Sequence, residues 1–264
     1  MVPQVFISLQ EAVNHALDGD TITVAPGVYF EGCSVFSSSA NNLYIKGAGG
    51  FGNSVSVLQG NCNSDCFIIA KSHNIEISGF EIRKWKDGVA IYHSDTVSVH
   101  DNYIHNLHGY HSEGVFIEYS TEVTVKNNVI DNVGYINVYI CQQNQNVLVI
   151  NNTLVNNTAY HGIQSRCGNQ GIRIINNIIA FNQGNGVHFI EGQGDAVIEY
   201  NCCYNNGIDW KDCIPGKGNF SLDPKFRLKE NNMFHLSITS SCIDTGSPDI
   251  LDDDGSNSDI GANF

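Results

Sequence analysis

The stretch AYHGIQSR, residues 159–166, sets a histidine, an amide and a guanidinium close together in a chain that holds only 13 basic residues. Arg166 suits neutralisation of a substrate carboxylate, because its planar fork of donors matches one in bidentate fashion. Gln164 can add a hydrogen bond to the same group. His161, with Tyr139 or His188 from neighbouring stretches, supplies the acid and base of a proton transfer. Such a set fits abstraction of a proton next to a carboxylate. A second set, Asp87 in KDGVAI and Glu113 in SEGVFI, offers the paired carboxyls of glycoside hydrolysis.

A repeat must position these residues. The segments IEISGFEI (from Ile75), VSVHDNYI (Val97), VTVKNNVI (Val123), VLVINNTL (Val147), IRIINNII (Ile172) and AVIEYNCC (Ala196) align without gaps, their starts 22, 26, 24, 25 and 24 residues apart. Each reads as an alternating strand, an Asn-centred turn and a second short strand. Asn102, Asn128, Asn152, Asn177 and Asn201 recur at one place, expected to be a left-handed turn position from which the amides bond into a ladder. A further strand follows in each unit: GVAIYH, GVFIEY, NVYICQ, GIQSRC and GVHFIE. Its leading residue, Gly88, Gly114, Asn137, Gly162 or Gly186, reads as a position of positive φ. Units of this length with two or three strands and no helix are coils of a parallel β-helix, about eight in all.

Taking those leading residues as one register, the first and third residues after each point inward and the second and fourth outward. The outward columns are then Ala90, Phe116, Tyr139, Gln164 and His188, and Tyr92, Glu118, Cys141, Arg166 and Ile190. Just before the leading position come Asp87, Glu113, Ile136, His161 and Asn185. With coils about 4.8 Å apart, Tyr139, His161, Gln164, Arg166 and His188 converge on one sugar unit. Glu118, Tyr92 and Phe116 extend the contact surface, and Tyr110 and His111 in the loop HNLHGYHSEG flank it.

Composition bounds the partners. The net charge of −14 and a pI near 4.9 exclude nucleic acid and anionic membrane surfaces, which demand a basic face. No run of about 20 apolar residues is present to span a membrane, and MVPQVFI lacks the features of a signal peptide. Nine cysteines point to one or two disulfides in a secreted protein, with Cys62 and Cys66 one group and Cys202, Cys203 and Cys213 another. Zinc-type spacing is absent from the sequence, so no metal site is assigned. The oxygen-rich turn LDDDGSNSD suggests calcium, but its residues do not fit an EF-hand register and it reads rather as the polar turn of the C-terminal cap.

The chain reads as one domain, 1–264, divided into an N-terminal cap and first coil (1–31), Asn-rich coils (43–205) and an irregular C-terminal cap (206–264). In SLQEAVNHALDG, Ser8 and Glu11 form a capping box, Leu9, Ala12, Val13, Ala16 and Leu17 one apolar face, and Gly19 the stop. This opening, the Asn-rich coils, and an ending with DPKF, a Ser-Pro and DIGA resemble the pectin-lyase-like right-handed parallel β-helix superfamily over nearly the whole chain. The resemblance implies an all-β solenoid and one of several activities: polysaccharide lyase, uronan epimerase, glycoside hydrolase, or the structural role of tailspikes and adhesins. HGIQSRCGNQGIRIINN is similar to the surroundings of the His-Gly of mannuronan epimerases, though GVFIEYS stands where that family carries DPHD or DPHE. Asp87, Glu113 and His161 resemble the polygalacturonase series NTDG, DD and GHG. The expectation drawn is a secreted enzyme acting on a uronate-containing polysaccharide, with a hydrolase using Asp87 and Glu113, or a glycan-binding spike, as alternatives. An enzyme of this shape is expected as a monomer and a spike as a trimer.

Overall fold

The computed structural model describes residues 1–2, 5–36, 40–49, 54–166, 168–227, 234–252 and 254–262. Three eight-stranded parallel sheets, each taking one strand from every coil, wrap around a single elongated core. The first sheet runs from Thr21–Thr23 to Val197–Glu199, the second from Gly27–Tyr29 to Cys202–Tyr204, and the third from Cys33–Phe36 to Trp210–Lys211. Inward residues such as Val99, Val125, Val149 and Ile174 stack in columns along the axis and are buried. The apolar alternation of each strand thus becomes a continuous stripe, and burying that stripe is the main favourable term in the fold.

The corners are held by amides. Asn102, Asn128, Asn152, Asn177 and Asn201 are fully buried, and each accepts from the backbone N–H of its counterpart one coil earlier or is joined to it side chain to side chain. Asn219 adds a further rung below Asn201. The ladder residues do not themselves take the left-handed conformation. The residue before each does: Asp101, Asn127, Asn151, Asn176 and Tyr200 have φ between 51° and 56°. This frees the ladder amide to turn inward, where it also satisfies orphan carbonyls of the turn. The corner between the third and first sheets carries a mixed ladder, Ser72, Ser94, Ser120, Asn144 and Asn169, whose change from hydroxyl to amide hides it from a repeat search.

The leading glycines of the third sheet also differ from expectation, since none of Gly88, Gly114, Gly162 and Gly186 is among the positive-φ residues. Their constraint is space. A Cβ on Gly114 would lie 2.5 Å from the Asn137 carbonyl oxygen, and one on Gly162 2.4 Å from an Ile179 methyl.

The N-terminal helix, Leu9–His15, starts on Ser8, whose hydroxyl accepts from the Glu11 N–H at 3.0 Å. The Glu11 carboxylate reaches back to the Ile7 N–H rather than to Ser8, and Leu17 lies outside the apolar face, exposed to solvent. The C-terminal segment does more than close the end of the core. After Trp210–Lys211 and Phe220 complete the last coil, residues 224–227, 234–252 and 254–262 fold back on the outer face of the second sheet and bury Val155, Ile178, Ala180 and Cys202 with Cys242 and Ile260. Asn176 and Thr153 bond to Ser247, Ser258, Gly261 and Ala262 along this seam.

The eight described cysteines are free thiols, so the two expected disulfide groups do not form; Cys167 lies outside the described residues. Cys202 and Cys203 are neighbours in one strand, so one faces the C-terminal seam and the other the main core. Cys66 is buried in the core while Cys62 is half-buried in the preceding turn.

Candidate functional site

The third sheet keeps its outer face clear of the C-terminal segment, and its register is the one that the leading residues define. Ala90, Phe116, Tyr139, Gln164 and His188 are successive partners across the sheet, with Lys211 following His188. Tyr92 pairs with Glu118 in the neighbouring column. Two clusters of polar side chains sit on this face, with an apolar saddle between them.

In the C-terminal cluster, Arg166 donates to the Tyr139 hydroxyl at 3.2 Å. Burial pushes the Tyr139 phenol up to about 12 against the lowering pull of Arg166, so it stays protonated and remains a proton donor. Gln164 is only 3% exposed, and its amide oxygen has no hydrogen-bond partner. An orphaned acceptor at this depth costs about 1–3 kcal/mol. It calls for a donor such as a sugar hydroxyl; a carboxylate, which only accepts, cannot fill it. A recess of about 170 Å³ opens beside Arg166, walled by Asn169, Glu191 and Gln193.

The two histidines form a relay with fixed tautomers. The Asn185 backbone N–H donates to His161 Nδ1 at 2.8 Å, so the proton of the neutral ring must be on Nε2. Nε2 lies 3.2 Å from His188 Nδ1, and His188 Nε2 lies 3.2 Å from the Asp212 carboxylate. Protons therefore point from His161 to His188 and from His188 to Asp212. Burial, with His188 beside it, lowers His161 to about 4 and keeps it neutral at ordinary pH. Both its nitrogens are occupied. This arrangement suits His161 to orient His188. Asp212 was missed because it follows the last aligned repeat.

The N-terminal cluster contains Asp87 and Glu113 together with two residues that the sequence did not single out, Asp65 and Lys86. Asp65 precedes Cys66, which takes the column position occupied by glycine in later coils, so the motif marking Asp87 and Glu113 is lost there. Lys86 Nζ lies 2.7 Å from Asp87 and 3.5 Å from Asp65, and Asp87 accepts from the Glu113 N–H at 2.9 Å. Burial, followed by a side-chain hydrogen bond with Asp87 and its charge, raises the Glu113 carboxyl to about 10. The two carboxyls share a hydrogen bond, whereas glycosidase pairs stand about 5 to 9 Å apart to admit a sugar or water. Both are buried as well, which disfavours them as hydrolase acids.

A pH effect follows. Because the folded-state Glu113 holds its proton up to about 10 while the unfolded chain releases it near the ordinary value, its contribution to stability is present in acid and is lost as pH rises from about 4.5 towards 10. Glu113→Gln keeps the neutral shape. It is expected to raise the thermal midpoint at pH 8 relative to wild type and to change it little at pH 4, as read by calorimetry at both pH values.

Between the clusters, Ile136, Tyr139, Cys141, Phe116 and Tyr135 form a separate apolar group on the outside of the sheet. Rings stack along its edge from Tyr110 through His111, Tyr135 and Tyr160 to His161, at centroid separations of 4.2, 4.3, 4.7 and 4.3 Å. Tyr92, Phe116 and Tyr139 make a second series at 5.4 Å intervals. Tyr110 and His111 thus begin a staircase, and Tyr135 and Tyr160 are its unforeseen members. Glu118 accepts from Gln142 and stands beside Cys141 at the saddle's edge.

In the C-terminal segment, the carboxylates of Asp244, Asp252 and Asp259 come within 4.8 Å of one another. The Asp244 N–H bonds to Asp259 and the Asp259 N–H to Asp252, so the cluster is part of the segment's own turn. Of the LDDDGSNSD turn named for calcium, Asp252 and Asp259 are in this cluster, and Asp253 lies outside the described residues.

Three parallel sheets, one strand per coil from each, and a polar face on one of them define a right-handed parallel β-helix of the pectin-lyase-like superfamily. The chain belongs to the right handed beta helix region family, whose model matches residues 14–138 and 65–224. Among solved structures it is similar to a mutant of the periplasmic alginate epimerase AlgG at 20% identity and a TM-score of 0.50, over 77% of this chain and 51% of that one. The pectate lyase Pel9A matches at 13% identity and a TM-score of 0.43, over 97% of this chain and 90% of that one. An alginate lyase from Paenibacillus sp. matches at 14% and 0.43, over 81% and 94%. The chain spans about half the length of the epimerase. A comparison with curated proteins found no match. No helix among the described residues is long and apolar enough to cross a membrane.

Proposed function

We propose that the third-sheet face binds a uronate-containing polysaccharide and that the protein is a lyase or epimerase acting at the carbon next to the uronate carboxylate, outside the cell. The observation that carries this reading is the convergence on four adjacent coils of Arg166, the orphaned Gln164 amide oxygen, the protonated Tyr139 and the His161–His188–Asp212 relay. The fold is also one on which an alginate epimerase is built.

In this reading Arg166 neutralises the carboxylate and Gln164 accepts from a sugar hydroxyl. His188 takes the C5 proton on Nδ1, where the substrate displaces the 3.2 Å contact from His161, and Asp212 balances the charge that the ring gains. Tyr139 lies two coils from His188 in the same column, on the far side of Gln164. It gives its proton either to the leaving C4 oxygen, as the C4–C5 double bond forms, or to the opposite face of C5. The first outcome is cleavage and the second inversion. Asp212→Asn is expected to lower kcat about tenfold or more with little change in KM, because it touches the base and not the sugar. Assays for unsaturated uronate absorbance and for C5 inversion by NMR decide the matter. A panel of acidic polysaccharides that shows neither change overturns the reading.

A further inference from the structure

We infer that the polymer taken by this face is a heteropolysaccharide in which the bound uronate is followed, towards the N-terminal coils, by at least two uncharged sugars. This rests on the proposed binding of a uronate at Arg166 and adds the class of substrate.

The face is polar along the helix axis. At one end, Arg166 and Lys211 lie beside His161 and His188, with the carboxylates of Asp212 and Glu191 among them. Two coils towards the N-terminus stand Glu113 and Glu118, with Asp87 and Asp65 three and four coils away, answered among the described residues by the ammonium of Lys86. Between them lies the saddle of Ile136, Tyr139 and Cys141, all buried and uncharged. A pyranose unit advances a glycan by about the height of one coil. With a uronate on Arg166, the next sugar therefore faces the saddle and the one after it faces Glu113 and Glu118.

In a homopolymer of uronate, the first of these neighbours would desolvate a carboxylate on an apolar surface. The second would set one against the Glu118 carboxylate, with the Lys86-paired carboxylates of Asp65 and Asp87 beyond it. Both are unfavourable, and like-charge contact is a strong means of rejecting a wrong partner. Neutral sugars meet the opposite situation. Their C–H faces can pack on Tyr135 and Tyr160, whose rings are 4.7 Å apart at the edge of the saddle, and their hydroxyls can donate to the carboxyls beyond.

The test compares gellan, in which each glucuronate is flanked by neutral sugars, with alginate and polygalacturonate, each with and without added calcium. Binding is measured by calorimetry on the wild-type chain and turnover by the uronate assays above. Affinity for gellan oligomers is expected to exceed that for either homopolymer by about tenfold or more. Glu118→Lys is expected to narrow that gap by strengthening homopolymer binding. Equal or tighter binding of alginate or polygalacturonate, or a gap that Glu118→Lys leaves unchanged, overturns the inference and leaves the uronate reading standing. Binding of none of the three polymers overturns both.

Discussion

Arg166→Gln is expected to lower kcat/KM on a uronate polymer by about a thousandfold, the cost of deleting a donor aimed at charge that develops in the transition state. The carboxylate bound here becomes more electron-rich as the neighbouring proton leaves, so the loss should fall mainly on kcat. Arg166→Lys should recover only part of it, because a point charge cannot hold both carboxylate oxygens and the Tyr139 hydroxyl together. The exposed side chain contributes little to folding, so thermal midpoints of both variants should lie close to wild type. Steady-state kinetics and calorimetry on the same preparations check this. A loss under about tenfold would remove Arg166 from the carboxylate site.

The second large effect concerns stability. Asn152→Ala is expected to cost about 3–5 kcal/mol, more than most single truncations in the apolar core. The Asn152 amide donates to the carbonyls of Val125 and Ile150 at 2.8 and 3.0 Å and to Asn177 at 3.0 Å. Its oxygen accepts from the Asn128 N–H and side chain at 2.9 and 3.1 Å. Alanine leaves these groups buried and unpaired, with no room for water. Asn127, one residue before the ladder position and at φ 53°, provides the contrast: Asn127→Gly keeps the turn at a cost under about 1 kcal/mol. Urea unfolding of the two variants measures the difference. Similar losses would mean that the turn conformation, and not the amide ladder, holds the corner.

The sequence-level reading succeeded where the repeat repeats. Gaplessly aligned coils fixed the strand faces, so the column from Ala90 through Tyr139 to His188 and the neighbours Tyr92 and Glu118 could be placed before any coordinates. It failed where a residue breaks period or where the outcome depends on contacts between coils. Asp65 lost its marker because Cys66 replaces a glycine. Asp212 lies beyond the aligned units. The role of His161 turned on one backbone N–H from Asn185, which no residue pattern encodes. The C-terminal fold-back has no sequence periodicity at all, and its seam is built from outward residues, Val155, Ile178 and Cys202, that read as ordinary strand positions.

That seam has a mechanical consequence. Solenoids are held by neighbour-to-neighbour contacts and fray from their ends. Here Thr153 and Asn176 are tied to residues more than 70 positions later in the chain, so the late coils cannot peel away one at a time. Fraying is directed to the opposite end, where the described residues closing the first coils are the seven-residue helix and the short bridge of Val2 to Val24. The coils bearing Tyr139, Gln164, Arg166 and His188 are therefore the last part of the molecule to lose their shape, and a partly unwound chain would still carry this face of the third sheet intact.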